Sequence, residues 1–62
     1  MYIVTTYNKF NNEIAKTEHK TLSNAEFTAS WISCFKSVWY AIITDEEFNR
    51  FGYYENGKKT GE

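Results

Sequence analysis

Leu22-Ser23-Asn24-Ala25-Glu26-Phe27 holds two independent helix-start devices within six residues. Ser23 can accept hydrogen bonds from the free N–H groups of a first helical turn while Glu26 reaches back to it, a capping box. Leu22 and Phe27 occupy the two positions of a hydrophobic staple around that box. Together these place a helix over residues 24–36. At 100° per residue, Phe27, Trp31 and Phe35 fall within an arc of about 80°, flanked by Ile32 and Cys34, with Glu26, Ser30, Ser33 and Lys36 opposite. The aromatic face is therefore expected to be the core face and the serine face the wet one. Each large ring would contribute about 2–3 kcal/mol if fully covered, so Phe35→Ala is expected among the most destabilising changes.

Strand patterns lie on both sides of this helix. Tyr2 to Lys9 is dense in β-branched and aromatic residues, in the alternating sets Ile3, Thr5, Tyr7 and Tyr2, Val4, Thr6, one of which should meet the helix. Asn11-Asn12 suits a hairpin turn, because asparagine tolerates positive φ. Glu13 to Lys20 returns as a mostly polar strand, guarded as an edge by Lys16 and Lys20. Val38-Trp39-Tyr40-Ala41-Ile42-Ile43 is the strongest strand candidate and is expected to be central. Only one of its two sides can face a single helix, so the other is left partly exposed.

Beyond Thr44 two readings compete. Ile43-Thr44-Asp45-Glu46-Glu47-Phe48 repeats the box-plus-staple pattern, and Phe48 and Phe51 are spaced i, i+3, which favours a short helix ending at Gly52. In the alternative, Thr44 to Glu47 is a hairpin turn and Phe48 to Tyr54 pairs back as a fourth strand. Asn56-Gly57, between Tyr-rich and Lys-rich flanks, is a strong hairpin cue; the alternative is a frayed tail. The expected architecture is a single α+β domain over residues 1–62. It has a small antiparallel sheet, built from a β-hairpin, one amphipathic helix, a third strand, then a short helix or fourth strand.

Length and charge bound the function. Sixty-two residues allow one small core, and seven basic against eight acidic residues give a net charge of -1. There is no chain-wide field to draw in DNA, RNA or an anionic membrane, nor the acidic excess of a DNA mimic. The aromatic fraction of 19% is too rich for a disordered chain. A single cysteine forms no intramolecular disulfide, which points to a reducing cytoplasm, and the absence of a basic leader or long apolar run leads to the expectation of a soluble, untargeted chain without membrane association.

Catalytic constellations are missing from the sequence. His19, the only histidine, lies on the polar strand with no nucleophile or orienting carboxylate placed beside it, and reads as an exposed strand residue. Cys34 flanks the apolar stripe and is expected to be buried packing; with His19 it shows no short ligand spacing, so no metal site is expected. Gly52, Gly57 and Gly61 form no phosphate-binding loop. The expectation is therefore a non-enzyme without cofactor.

Two surfaces remain. Asp45, Glu46 and Glu47 with Phe48, Tyr53 and Tyr54 suit an anchor patch, in which an acidic rim engages cations of a protein partner while aromatics fill pockets; an acidic first helical turn is the ordinary alternative. Tyr2, Tyr7, Lys9 and Lys16 would make a stacking platform for single-stranded nucleic acid on one sheet face. The first reading leads, ahead of nucleic acid and of a structural homodimer covering the free aromatics.

Two resemblances accompany this reading. Phe, Tyr, Met, Ile, Asn and Lys, whose codons are A/T-rich, make up 28 of the 62 residues. A chain this short with that composition resembles the small accessory and inhibitor proteins of bacteriophages and mobile elements. That likeness is to a class, without a family motif, and implies a modulator of a host protein. Tyr53-Tyr54-Glu55-Asn56-Gly57-Lys58-Lys59 is similar to the unit of MORN-type repeats over about ten residues, in a single copy, and implies a local turn only.

Overall fold

The computed structural model describes residues 1–59; Thr60 to Glu62, the end of the expected tail, lie outside the described residues. Its elements are β1 (Tyr2–Tyr7), β2 (Glu13–His19), α1 (Leu22–Ile32), β3 (Tyr40–Asp45), β4 (Arg50–Glu55) and β5 (Lys58–Lys59). The strands form one antiparallel sheet in the order β2-β1-β3-β4-β5, an α+β fold with β3 at its centre and β2 at one edge.

The turns follow from local side-chain chemistry. Asn8 Oδ1 accepts from the N–H groups of Phe10 and Asn12 at 2.9 and 3.0 Å, and Asn11 takes φ 67°, so three asparagines close the β1–β2 hairpin. Asn56 and Gly57, with φ 55° and 81°, form the two-residue turn between β4 and β5.

The favoured short helix after Thr44 does not form. Asp45 Oδ1 accepts from the N–H groups of Glu47 at 2.8 Å and Asn49 at 2.9 Å, and Phe48 N–H donates to Asp45 O at 3.1 Å. This side-chain turn competes with helix initiation, and the β-forming residues beyond it pair with β3, Tyr53 opposite Ile42 and Tyr54 opposite Ala41.

The helix exists, but its start, end and facing differ from the periodicity reading. Thr21 rather than Ser23 is the N-cap, its Oγ1 accepting from Asn24 N–H at 3.2 Å, so the helix begins two residues early and the Leu22–Phe27 staple is lost. It ends at Ile32, where Cys34 and Phe35 N–H groups turn back to the carbonyls of Trp31 and Ile32, three residues behind. The core side of α1 is Ala25 and Ala29, fully buried, with Leu22 and Ile32 beside them. Against these pack Val4, Ala41, Ile43 and Tyr54, with Tyr2 and Phe51 at the margin.

The expected core rings point the other way: Phe27 is 74% and Trp31 58% exposed, and Phe35, just past the helix, is also exposed. From the sheet side Val4, Ile43 and Tyr54 fill the interlayer space, leaving room on the helix side for alanine rather than for rings. The serine face expected to be wet is the one that docks. Ser30 Oγ donates to Gly57 O at 2.9 Å, Gly57 N–H donates to Ser33 Oγ at 2.9 Å, and Ser33 is buried. Cys34, expected to be buried, is exposed, because the stripe it flanks faces water.

Candidate functional site

Sheet register fixes where each candidate residue lies. Asp45, Glu46, Glu47 and Phe48 come together in the β3–β4 turn, but Tyr53 and Tyr54 do not join them. Adjacent on β4, they point to opposite faces: Tyr54 is buried against α1 and Tyr53 stands on the open face. The acids of the turn are partly engaged within the fold. The Asn49 side-chain amide, donating to Asp45 Oδ2 at 3.0 Å, and then the backbone N–H groups of Asn49 and Glu47, hold the Asp45 carboxyl below its ordinary value. Glu46 lies 3.8 Å from the Met1 amino group. Phe48 has φ 66°, a left-handed conformation that bulky residues rarely adopt, and is 84% exposed.

The second candidate set is also divided. Tyr7 and Lys16 share the open face, Lys16 standing opposite Thr5 in the register and 3.8 Å from Glu13. Tyr2 lies on the helix side, edge-on to Phe51 with centroids 5.3 Å apart, and Lys9 sits in the β1–β2 turn. On the open face Tyr7, Tyr40 and Tyr53 form a ladder across three strands, with ring centroids 4.8 and 5.1 Å apart and planes within 17°. Those spacings are close to the distance between neighbouring strands, about 4.8 Å, so the rings stand side by side and cover one another's faces. A base-stacking platform needs those ring faces free. The Tyr40 hydroxyl donates to Asn11 Oδ1, tying the ladder to the turn, and burial, then the neighbouring Tyr7 and Tyr53, push its ionisation upward.

What sequence reasoning missed is a belt of exposed rings. Phe27 and Trp31 project from the outer face of α1; Trp31 meets Phe35 edge-on, centroids 5.0 Å apart. Phe35 and Trp39 line one groove together with Cys34, Lys36, Val38, Glu55 and Asn56. Trp39 and Phe10 line a second with Asn8, Lys9, Lys36 and Ser37. Five large exposed aromatics thus follow one another along the surface, from the helix to the β1–β2 turn.

Comparison with known proteins returns no match, whether to a family model, a curated protein or a solved structure. The belt is therefore read from its own chemistry.

Exposed aromatic rings supply large apolar contact area. Among the described residues no three of His, Cys, Asp and Glu converge as a metal site. His19 Nε2 is 2.9 Å from Thr17 Oγ1, a hydroxyl–imidazole contact on the edge strand β2. Lys9 Nζ lies 5.2 Å from the centroid of the Phe10 ring, a cation held over an aromatic face at the end of the belt. The signal for the belt was present in the sequence: Leu22, Ala25, Ala29 and Ile32 make a second apolar stripe of smaller residues on the same helix.

Proposed function

We propose that this chain is a non-enzymatic protein-binding module whose contact surface is the belt of Phe27, Trp31, Phe35, Trp39 and Phe10. One observation carries the reading: the helix turns its small residues to the core and Phe27 and Trp31 to water, at the head of a run of five exposed aromatics in a 62-residue chain. Large exposed apolar patches mark interaction sites, and aromatic anchors dominate binding energy at protein interfaces. The acidic turn tipped by Phe48 is a separate feature at the other end of the sheet, since Asp45 pairs with Tyr2 whereas Tyr40, beside the belt, pairs with Tyr7. An accessory or inhibitor protein of the bacteriophage type, acting on a host protein in a reducing cytoplasm, fits this reading. No helix among the described residues is long and apolar enough to cross a membrane.

The test is capture from a nuclease-treated bacterial lysate with the tagged chain and with Phe27→Ser/Trp31→Ser. The expected result is one stoichiometric protein partner retained by the native chain and lost by the folded double variant. Equal retention by both chains, or recovery that disappears on nuclease treatment, would contradict it.

A further inference from the structure

The end of the belt differs in charge from the rest. The groove of about 380 Å³ between the β1–β2 turn and the α1–β3 loop is lined by Asn8, Lys9, Phe10, Lys36, Ser37 and Trp39. Two lysines and two large rings face it and no carboxylate does. We infer that this groove takes an acidic, apolar segment of the partner, with carboxylates between Lys9 and Lys36 and an apolar side chain against Phe10 and Trp39. The inference deepens the reading of the belt as a protein-binding surface and rests on it.

Three features of the site select that occupant. Lys9 Nζ stands over the Phe10 ring, so its ammonium is positioned beside the apolar wall while still open to solvent. Lys36 and Trp39 also line the adjoining groove, where Glu55, opposite Lys58 in the register, is present, so the groove lined by lysines without a carboxylate is the one at the β1–β2 turn. A single-stranded nucleic acid presents phosphates at every step, and a two-lysine site bounded by a carboxylate does not follow such a line. Carboxylates of a peptide are localised and match it. A second copy of the chain fits less well: a two-fold contact here would set Lys9 and Lys36 against their own counterparts, and in a head-to-tail contact the β3–β4 turn would arrive with Glu46 already beside the Met1 amine.

The chain has two tryptophans, so its two indole N–H signals, with that of Trp39 identified by its loss in Trp39→Phe, report on the groove in the unaltered protein. The titrants are a synthetic peptide alternating glutamate with leucine, its lysine-leucine counterpart, and oligo(dT). The acidic peptide is expected to shift the Trp39 signal saturably, with affinity falling about tenfold or more in Lys9→Glu/Lys36→Glu and on addition of salt. No response to the acidic peptide, a preference for the basic peptide or oligo(dT), or a Trp39 shift with protein concentration alone would overturn the proposal. Capture of the partner by Lys9→Glu/Lys36→Glu at native strength would also overturn it, while leaving the aromatic belt as the contact surface.

Discussion

Gly57 occupies a doubly constrained position. Its φ is +81°, and a Cβ built there would stand 2.5 Å from Cys34 Sγ. Gly57→Ala combines left-handed backbone strain with a clash in the serine clasp, so it should cost about 1–2 kcal/mol or more, read from urea denaturation. Asp45 is the titrating counterpart. Because Asn49, side chain first and then backbone, lowers its pKa in the fold, its stabilising effect is fully present above the ordinary carboxylate value near pH 4. It is lost as pH falls through the lower native value. Asp45→Asn should flatten that acid limb in a series of melts at decreasing pH; an unchanged limb would show that the turn does not depend on this carboxylate.

Helix α1 shows how two apolar stripes on one element are resolved. Ala29 is fully buried while Phe27 faces water, so Ala29→Leu should destabilise by about 1–3 kcal/mol through overpacking. Phe27→Ser should change stability by about 0.5 kcal/mol or less; the reverse ranking in thermal or urea melts would show that the rings are buried. That a helix lies here was legible in the sequence, but its cap, Thr21 rather than Ser23, and its facing were not. Periodicity identifies stripes, whereas the choice between them depends on how much volume Val4, Ile43 and Tyr54 bring from strands distant in sequence. The centrality of β3 and the Asn-Gly turn were legible because each depends on local composition. The segment from Asp45 to Tyr54 was ambiguous because its acids suit a helix start and an Asx-type turn equally, and pairing with β3 decides between them. The tyrosines of the strands carry a pH signature. Burial first, with Glu26 second, raises Tyr54, and burial with Tyr7 and Tyr53 raises Tyr40. Both phenols are favoured in the fold, so their contribution is intact below about pH 10 and lost as pH rises through the elevated native values. Alkaline difference spectra should show a late-ionising component that is reduced in Tyr40→Phe and Tyr54→Phe.

The whole molecule keeps several large rings outside despite close packing. Its radius of gyration is 10.2 Å, against about 10.6 Å expected for a compact chain of this length, so the exposure of Phe10, Phe27, Trp31 and Trp39 does not come from loose structure. Net charge near zero leaves no long-range steering, and the two features that distinguish one end from the other are the lysines beside Trp39 and the acids around Phe48. The candidate site was legible only as an aromatic surplus. Its location required knowing which helical stripe the sheet accepts.

That orientation is most directly tested by tryptophan fluorescence of the dilute protein with a soluble quencher. With both indoles on the outer surface, emission should be that of hydrated indole and both tryptophans should quench freely in the folded state. Blue-shifted emission shielded from quencher until the protein unfolds would place Trp31 in the core and contradict the account.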